Sequence, residues 1–340
     1  MKVLLVAGDS GHSGATLSMT VLAKCLYEMG NSGVVILPQK GTIENELRKE
    51  KIPYYVVHSY FWTKGIGEKR SLFNIARFLK HIFYNFIAVR KIKWIIKWEK
   101  IDLVHVNTVS SYVGAAAALL CGVPLVWHIR EFLEEDHGVT LWKPQKAYSL
   151  ISRSDCVIAI SDAVYKKYSR VLNTDRIKMI YNGLDIQRYF ISNHRILENP
   201  KKIRITVSGR LTEGKCQLEM IKAAAIVRRF SDAFQVYLVG NKDREDYYQE
   251  LKKSICENHL EGYVILAGFT ENMEKVWRNT DICVMCSRAE AFGRVTVEAM
   301  LAGVFVIGAN TAGTAEIIED QKNGLLYQQG DPKDLASKIM

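Results

Sequence analysis

Strand patterns alternate with helix patterns through the second half of the chain, and this alternation limits the possible fold more than any other feature. Apolar runs typical of buried strands occupy residues 203–208, 234–239, 264–266, 282–285 and 304–307, and helix patterns occupy 218–229, 247–257, 273–278 and 295–301. Neighbouring parallel strands are joined by helical crossovers of this length. The second half therefore predicts an open, parallel α/β sheet.

The first half shows the same pattern at wider intervals. Strands are predicted at 1–8, 34–37, 54–58, 102–106, 124–127, 156–160 and 177–181, with helices between them. A chain of 340 residues is long enough for two domains. We therefore predict two Rossmann-like, doubly wound parallel-sheet domains that face a cleft, residues 1–197 and 198–340. The boundary is placed in an irregular, polar segment that ends in a Pro200-Lys201-Lys202 hinge.

The net charge of +10 is concentrated in one segment. Residues 64–100 contain ten Lys or Arg and two acidic residues, and apolar residues between 72 and 98 recur at helical spacing. A basic helix with aromatic residues can lie on an anionic membrane surface, and we predict this contact. The alternative is a core-facing helix whose basic face is only solvated. No nucleic-acid-binding motif accompanies the segment, so nucleic acid is not predicted as a partner.

Cysteine usage and hydropathy bear on where the protein works. Seven cysteines without a disulfide-framework spacing indicate a reducing compartment, and no run of 18 apolar residues predicts a membrane-spanning helix. We expect a cytoplasmic protein, peripheral at the inner face of the plasma membrane. Cys283 and Cys286 lie inside a predicted strand, and we expect them to pack rather than to bind a metal.

The stretch from Ser287 to Glu298 combines a strand end, a glycine-containing loop and a helix start. Backbone N–H groups after Gly293 would lie at a helix N-terminus, which favours a phosphate. Glu290 and Glu298 can accept hydrogen bonds from the hydroxyls of a ribose or a hexose. The alternative is an ordinary strand–helix unit with two solvated glutamates.

A second loop carries two cations. Ser208-Gly209 ends a predicted strand, and Arg210 and Lys215 follow it closely. Two fixed cations near a helix start suit a diphosphate, because they neutralise the charge that a nucleoside-diphosphate leaving group develops. The alternative is a pair of exposed cations with no ligand.

Three features of the first half are, on their own, weaker evidence for a functional site. The loop Gly8–Ala15 is rich in glycine but lacks the spacing and the later acidic residue of a dinucleotide fingerprint, which argues against a dehydrogenase. It could bind an anion or form a tight turn. His128 follows a strand and is either a site residue or a packing residue, whereas His105 lies within a strand and is expected to be structural. The run Glu134-Glu135-Asp136-His137 is expected to be a solvated loop, and no Asp-x-Asp pair is present, so no metal site is predicted.

Taken together, these residues resemble glycosyltransferase family 4, the large GT-B group. The matching positions are Arg210 and Lys215, Glu290-Ala291-Phe292-Gly293 with Glu298, Gly303, Ala312-Gly313-Thr314-Ala315-Glu316, the glycine loop, Asp102-Leu103-Val104-His105, His128, Ser161-Asp162 and Asn182-Gly183-Leu184-Asp185. The likeness covers nearly the whole chain. One position departs from the pattern: the glycine that usually follows the lysine is Cys216 here, with Gly214 before the lysine instead.

The resemblance implies a retaining, metal-independent transfer of a hexose from a UDP- or GDP-sugar to a glycan or lipid-linked acceptor, with no cofactor. Bacterial envelope or capsule polysaccharide is the expected context. By the same resemblance, Glu290 and His128 act at the reacting centre, Gly11 and Gly14 line the loop where phosphate and acceptor meet, and the donor is bound by Arg210, Lys215, Phe292, Gly293, Arg294, Val295 and Glu298.

Two alternatives remain beside this one. A nucleotide-sugar epimerase of the same architecture would convert the donor without an acceptor, and a non-catalytic protein would bind it without turnover. The C-terminal helices that usually cross back onto the first domain in this family are not found before Met340.

Overall fold

The computed structural model describes residues 1–69, 71–192 and 202–340. Within them the chain forms two compact units, Met1–Gly183 and Leu184–Met340. The predicted boundary between residues 197 and 198 lies outside the described residues, as do Arg70 of the basic segment and Pro200 and Lys201 of the predicted hinge. The units divide earlier in the chain because Tyr189 and Ile191 are buried in the hydrophobic core of the second unit.

The first unit is built on a seven-stranded parallel sheet with the spatial order β3-β2-β1-β5-β6-β8-β9. The strands of this unit are β1 (Lys2–Val6), β2 (Ser32–Leu37), β3 (Tyr54–Val56), β4 (Thr63–Gly65), β5 (Leu103–Val106), β6 (Leu125–Ile129), β7 (Val139–Leu141), β8 (Cys156–Ala159) and β9 (Ile177–Met179). The sequence patterns did not predict β4 and β7, which form a separate antiparallel pair. Their three residues each are too few to show an alternating pattern.

Among the described residues, the first unit contains seven helices. They are α1 (Gly14–Glu28), α2 (Ile43–Lys49), α3 (Leu72–Trp98), α4 (Val113–Cys121), α5 (Leu133–His137), α6 (Pro144–Ile151) and α7 (Asp162–Ser169). Ser161 caps α7, because its Oγ accepts a hydrogen bond from the Val164 N–H at 3.1 Å. The acidic run predicted as a solvated loop is instead α5, and Glu134 and Glu135 each lie 2.6 Å from the Lys167 Nζ.

The basic segment forms one 27-residue helix, α3, with two different sides. One side is buried and packs against α4; it includes Ala88, Ile92 and Ile96. The opposite side carries large exposed apolar residues, which we call the outer face of α3: Leu72, Leu79, Phe83, Phe86 and Trp94. At 3.6 residues per turn these positions lie within about a third of the helix circumference. The predicted helix is therefore confirmed, and its apolar residues face both the core and the surface.

The second unit is built on a six-stranded parallel sheet with the order β12-β11-β10-β13-β14-β15. Its strands are β10 (Ile203–Ser208), β11 (Phe234–Val239), β12 (Val264–Gly268), β13 (Ile282–Met285), β14 (Phe305–Ala309) and β15 (Leu325–Tyr327). Its helices are α8 (Ile186–Tyr189), α9 (Gln217–Val227), α10 (Glu245–Glu257), α11 (Met273–Trp277), α12 (Arg294–Leu301), α13 (Ala312–Ile317) and α14 (Pro332–Ile339). Two α/β units with parallel sheets confirm the predicted fold class.

Two further expectations can be compared with the fold. Cys283 and Cys286 are buried beside β13, in agreement with the predicted packing role. Among the helices that the structure describes, none is both long enough and apolar enough to span a lipid bilayer.

Candidate functional site

The strand order of the second sheet reverses between β10 and β13. The loop after β10 ends in a 3-10 turn, Glu213–Lys215, and the loop after β13 runs to Gly293 at the start of α12. The two loops are joined by a hydrogen bond in which the Arg288 N–H donates to the Gly214 carbonyl at 2.9 Å. Open α/β sheets bind ligands at such a reversal, outside the carboxyl ends of the strands.

Lys215 and Glu290 form an ion pair between these loops. The Lys215 Nζ lies 2.6 Å from the Glu290 Oε1, and the two side chains are only 15% and 14% exposed. The Ser287 hydroxyl donates to the same carboxylate oxygen at 2.6 Å. The pair therefore holds one ammonium group and one carboxylate in fixed positions beyond the carboxyl ends of the central strands β10 and β13. Ser287 lies in the predicted stretch from Ser287 to Glu298, but the sequence pattern predicted no role for it.

Arg210 and Cys216 show how the first loop is shaped. Arg210 carries a half-exposed guanidinium, and its Nη1 lies 4.0 Å from the Asp243 Oδ1. The Gln217 side chain donates to the Arg210 carbonyl at 2.9 Å and so fixes the backbone of the loop. Cys216 has a φ of +52°, in the left-handed region that glycine adopts most easily. The cysteine therefore takes the backbone conformation that the glycine of the resembling family would take.

The loop before α12 is held tightly. Phe292 is buried, and Gly293 has a φ of +88°, a conformation that L-residues rarely adopt. The Gly313 N–H at the start of α13 donates to the Glu290 carbonyl at 2.9 Å, and a Cβ at Gly313 would lie 2.7 Å from the Phe292 carbonyl oxygen. The backbone from Glu290 to Gly293 is thus packed between two helix starts, and Val295 lies in the first turn of α12.

Glu298 lies one turn into α12 and is almost completely buried. The Arg294 Nε donates to the Glu298 Oε1 at 2.8 Å, and these side chains are 11% and 6% exposed. The Arg294 Nη2 also lies 3.3 Å from the Tyr189 hydroxyl on α8. Burial raises the pKa of Glu298, while the Arg294 guanidinium favours the carboxylate and so limits the pKa increase.

The first sheet reverses its strand order between β1 and β5, and the glycine loop follows β1. Asp9 organises this loop, because its carboxylate accepts hydrogen bonds from the Gly11 N–H and the Ser13 hydroxyl, each at 2.8 Å. Gly14 is the first residue of α1. A Cβ at Gly8 would lie 2.7 Å from the Thr108 Cγ2, so glycine is needed there for close packing against the loop after β5.

A buried polar cluster lies beside that loop. The His128 Nδ1 on β6 lies 3.1 Å from the His105 Nε2 on β5 and 3.1 Å from the Arg130 Nη2. Arg130 also donates through Nε to the Asn107 Oδ1 at 2.5 Å and through Nη1 to the Asn182 side chain. Burial, followed by the nearby Arg130 cation, lowers the pKa of His105 to about 3. The same causes, together with His105, lower the pKa of His128 well below its usual value, so His128 is neutral near pH 7.

The structure brings some of the predicted site residues into direct contact. Lys215 contacts Glu290, and Arg294 contacts Glu298, at the reversal of the second sheet. Gly11, Gly14 and His128 belong to the first unit, and their predicted roles at phosphate, acceptor and reacting centre stay predictions. In the described ranges no three His, Cys, Asp or Glu side chains are grouped so as to hold a metal ion.

Two contacts of this site were not predicted from the sequence, for different reasons. The Arg294–Glu298 pair has the i,i+4 spacing at which helix side chains meet, so that signal was available. Tyr189 comes from a four-residue helix far away in the chain, and no local pattern connects it with Arg294.

Comparison with known proteins identifies both units. Residues 12–188 match the sequence profile described as Glycosyltransferase Family 4, and residues 191–340 match that described as Glycosyl transferases group 1. An uncharacterized glycosyltransferase of Methanocaldococcus jannaschii is 27% identical over 258 residues, which cover 70% of this chain and 65% of that protein. The capsular polysaccharide biosynthesis glycosyltransferase CapM of Staphylococcus aureus is 23% identical over 194 residues, which cover 54% of this chain and 50% of CapM.

A solved structure resembles the whole chain. HepE of Anabaena, determined in complex with UDP-glucose, is 27% identical with a TM-score of 0.81, and the match covers 100% of this chain and 88% of HepE. The curated relatives are longer, and this chain spans 65% and 50% of the two named above. Because the family profiles match both units and the folds agree, the chain belongs to glycosyltransferase family 4, whose members have the GT-B fold.

Proposed function

We propose that this chain is a retaining glycosyltransferase that moves a hexose from a UDP- or GDP-sugar to a glycan or lipid-linked acceptor. The proposal rests on one observation: two ion pairs, Lys215–Glu290 and Arg294–Glu298, lie at the strand-order reversal of the second sheet. A nucleotide sugar offers a diphosphate to the cations and hydroxyl groups to the carboxylates, so its chemistry matches both pairs.

The diphosphate is proposed to lie between Lys215, Arg210 and the start of α12. When the bond between the sugar carbon and the diphosphate oxygen breaks, negative charge develops on the leaving nucleoside diphosphate. Two side-chain cations and a helix N-terminus stabilise that charge, and we propose that the reaction requires no metal because these groups supply the positive charge. Glu290 orients the Lys215 ammonium for this role through their 2.6 Å contact.

The two glutamates are proposed to bind hydroxyl groups. A carboxylate has about four lone-pair positions, so Glu298 can accept from Arg294 and from a ribose hydroxyl at once. Glu290 is proposed to lie beside the donor sugar, with Phe292, Gly293, Arg294 and Val295 contacting donor groups through the main chain. The structure of HepE with UDP-glucose favours a UDP-sugar over a GDP-sugar as the donor.

The acceptor is proposed to belong to an envelope or capsule polysaccharide. CapM is named for capsular polysaccharide biosynthesis, and this supports the same context here. An epimerase of this architecture would convert UDP-sugar in the absence of an acceptor, and a non-catalytic protein would give no product at all. Analysis of products with and without an acceptor glycan separates the three possibilities.

Nucleotide binding tests the site directly. We expect one of UDP, GDP, ADP and CMP to raise the Tm without added metal, and isothermal titration of that nucleotide to show tighter binding to the wild type than to Glu298→Ala. Loss of a hydrogen bond to a charged group costs about 1.5–3 kcal/mol, so the affinity should fall roughly 10- to 150-fold. Glu250→Ala, at an exposed position of α10, is the matched control and should bind as the wild type does. Equal affinity in Glu298→Ala would contradict the ribose assignment.

We also propose that the outer face of α3 binds an anionic membrane, at the inner face of the plasma membrane. Phe83 and Phe86 are 62% and 59% exposed, and the helix Leu72–Trp98 contains six Lys or Arg and no acidic residue. Apolar rings enter the boundary between headgroups and acyl chains, while cations such as Arg90 and Lys91 attract anionic lipids. A second copy of the chain is disfavoured on this surface, because it would bring the exposed basic residues of the two helices, such as Arg90 and Lys91, close to one another.

Vesicle binding tests this surface. With vesicles of phosphatidylglycerol and phosphatidylethanolamine at low salt, Arg90→Ala/Lys91→Ala should weaken binding roughly 30-fold, since each basic residue contributes about 1 kcal/mol. Lys252→Ala/Lys253→Ala removes two adjacent exposed cations from α10 of the other unit and should have little effect. Phe83→Ser/Phe86→Ser should weaken binding at low and at high salt alike, because apolar insertion is not screened. Equal binding by the α3 and α10 charge variants would refute the proposal.

A further inference from the structure

The Nε2 nitrogen of His128 lacks a hydrogen-bond partner among the described residues and is therefore a candidate for contact with a ligand. This nitrogen is buried in the polar cluster described above. Buried polar atoms in folded proteins are nearly always hydrogen-bonded, so an orphaned ring nitrogen in a polar cluster indicates a group that is supplied from outside.

The contacts at the other nitrogen determine where the proton lies. An arginine side chain has only N–H donors and is not deprotonated in proteins, so the Arg130 Nη2 donates to the His128 Nδ1. A neutral imidazole has one donor and one acceptor nitrogen, so an Nδ1 that accepts places the proton on Nε2. The His105 Nε2 lies 3.1 Å from the same Nδ1 and must therefore carry a proton as well, since two lone pairs would otherwise face each other.

We infer that Arg130 is a positioning residue that fixes His128 as a neutral imidazole with its proton on Nε2, so that His128 donates a hydrogen bond to a substrate hydroxyl and does not act as a general base. The nature of that hydroxyl, a sugar hydroxyl of donor or acceptor, rests on the proposed function. The tautomer and the role of Arg130 follow from the cluster alone.

The surroundings of Arg130 support a positioning role. Its Nε and Nη1 donate to the side chains of Asn107 and Asn182, so the plane of the guanidinium is fixed on two sides while Nη2 reaches His128. Asn107 is held in turn, because its amide donates to the Ala15 carbonyl in the first turn of α1 at 3.0 Å. The charged and titratable groups that act on His128 are Arg130 and His105, and both oppose a second proton on the ring, as burial does.

Nitrogen-15 NMR of histidine-labelled protein tests the tautomer without any need for activity. The His128 signals, assigned by their absence in His128→Gln, should show a proton-bearing Nε2 and an unprotonated Nδ1, unchanged between about pH 5 and 8. Arg130→Met should change the His128 nitrogen shifts and move its titration to higher pH. Arg130→Lys, which keeps a charge and a donor, should retain the wild-type pattern. A protonated Nδ1, a cationic ring at neutral pH, or identical signals in Arg130→Met would overturn the inference.

Turnover of a UDP-sugar with an acceptor glycan tests the donor role. Glutamine places an amide N–H near the position of Nε2, whereas asparagine places it near Nδ1, so His128→Gln should retain at least 10-fold more kcat than His128→Asn. Equal loss in both would indicate that a proton must be accepted, which contradicts the donor role. Arg170→Met, at an exposed position after α7, is the control for loss of one arginine. If the NMR pattern is as expected but no variant and no wild type transfers sugar, the proposed function fails and the tautomer assignment stands.

Discussion

Replacing Arg294 with Met tests the buried ion pair at the start of α12. The Arg294 and Glu298 side chains are 11% and 6% exposed, so the variant leaves a buried carboxylate without its cation. Breaking a buried pair in this way costs about 3–5 kcal/mol. For a domain of this size, that corresponds to a Tm lower by roughly 6–20 °C. The Tyr189 hydroxyl also favours the ionised form of Glu298. The expected loss of stability is therefore toward the lower end of this range, near ~3 kcal/mol.

The loss should depend on pH with a definite sign. Burial already holds the pKa of Glu298 above its unfolded value, and removal of Arg294 takes away the largest opposing influence, so this pKa rises further. A group with a raised folded-state pKa contributes stability that is present below its unfolded pKa and is lost as the pH rises through its folded pKa. The deficit of Arg294→Met relative to the wild type should therefore be largest near pH 7 and should shrink below about pH 5.

Hydrogen exchange measured by mass spectrometry on peptides of β13 and β14 reports the stability of the second unit separately from the first. Arg278→Met is a matched control, because Arg278 and Glu274 form another i,i+4 pair whose side chains are 52% and 49% exposed. An exposed pair contributes about 0–1 kcal/mol, so the control should change little. Arg294→Met/Glu298→Leu should recover most of the loss, since a hydrophobic replacement of a buried pair is often neutral. Equal stability of Arg294→Met and the wild type at pH 7, or a double variant no better than the single one, would refute the reasoning.

Four other substitutions have defined outcomes. Lys215→Ala should lower turnover of the nucleotide sugar by roughly 10²–10³, the cost of losing one donor to a developing anion, and a loss below tenfold in kcat would contradict its assignment. Glu290→Gln should lower kcat while leaving the nucleotide Kd close to the wild-type value, whereas Arg210→Ala should mainly weaken the Kd; titration calorimetry with steady-state kinetics checks both. Cys216→Gly should raise the stability of the second unit by about 0.5–1 kcal/mol in urea unfolding, because a non-glycine residue at φ +52° is strained, and a lower stability would show that the thiol packing outweighs the strain.

The second sheet could be predicted well because its strands are buried on both faces. Ile282–Met285 is a continuous apolar run of strand length, and Phe234–Val239 is interrupted by Gln235 alone, so their predicted bounds agree with the structure. The cation loop and the two glutamates could be placed at one edge of the sheet, since the carboxyl ends of parallel strands lie together.

Contacts between distant segments could not be predicted in the same way. The Lys215–Glu290 pair depends on two loops meeting at a strand-order reversal, and a strand order is not visible in any one segment. The His105–His128 contact depends on β5 and β6 being neighbours, so His105 could be identified as structural but not as a partner of the site. The left-handed conformation of Cys216 could not be predicted from the cysteine itself, which has no preference for it; the signal was the glycine that usually stands at this position in the resembling family.

The position of α8 decides how this protein can be recombined with its relatives. Ile186–Tyr189 follows the first unit directly in the chain, yet Tyr189 is buried in the core of the second and its hydroxyl contacts Arg294. A chimera joined at residue 197 would combine an α8 from one parent with the β13–β14 core of the other. A junction after Gly183 transfers α8 together with the core that it completes. Exchange of the second unit between family members should therefore succeed at that junction and give poorly folded protein at the later one.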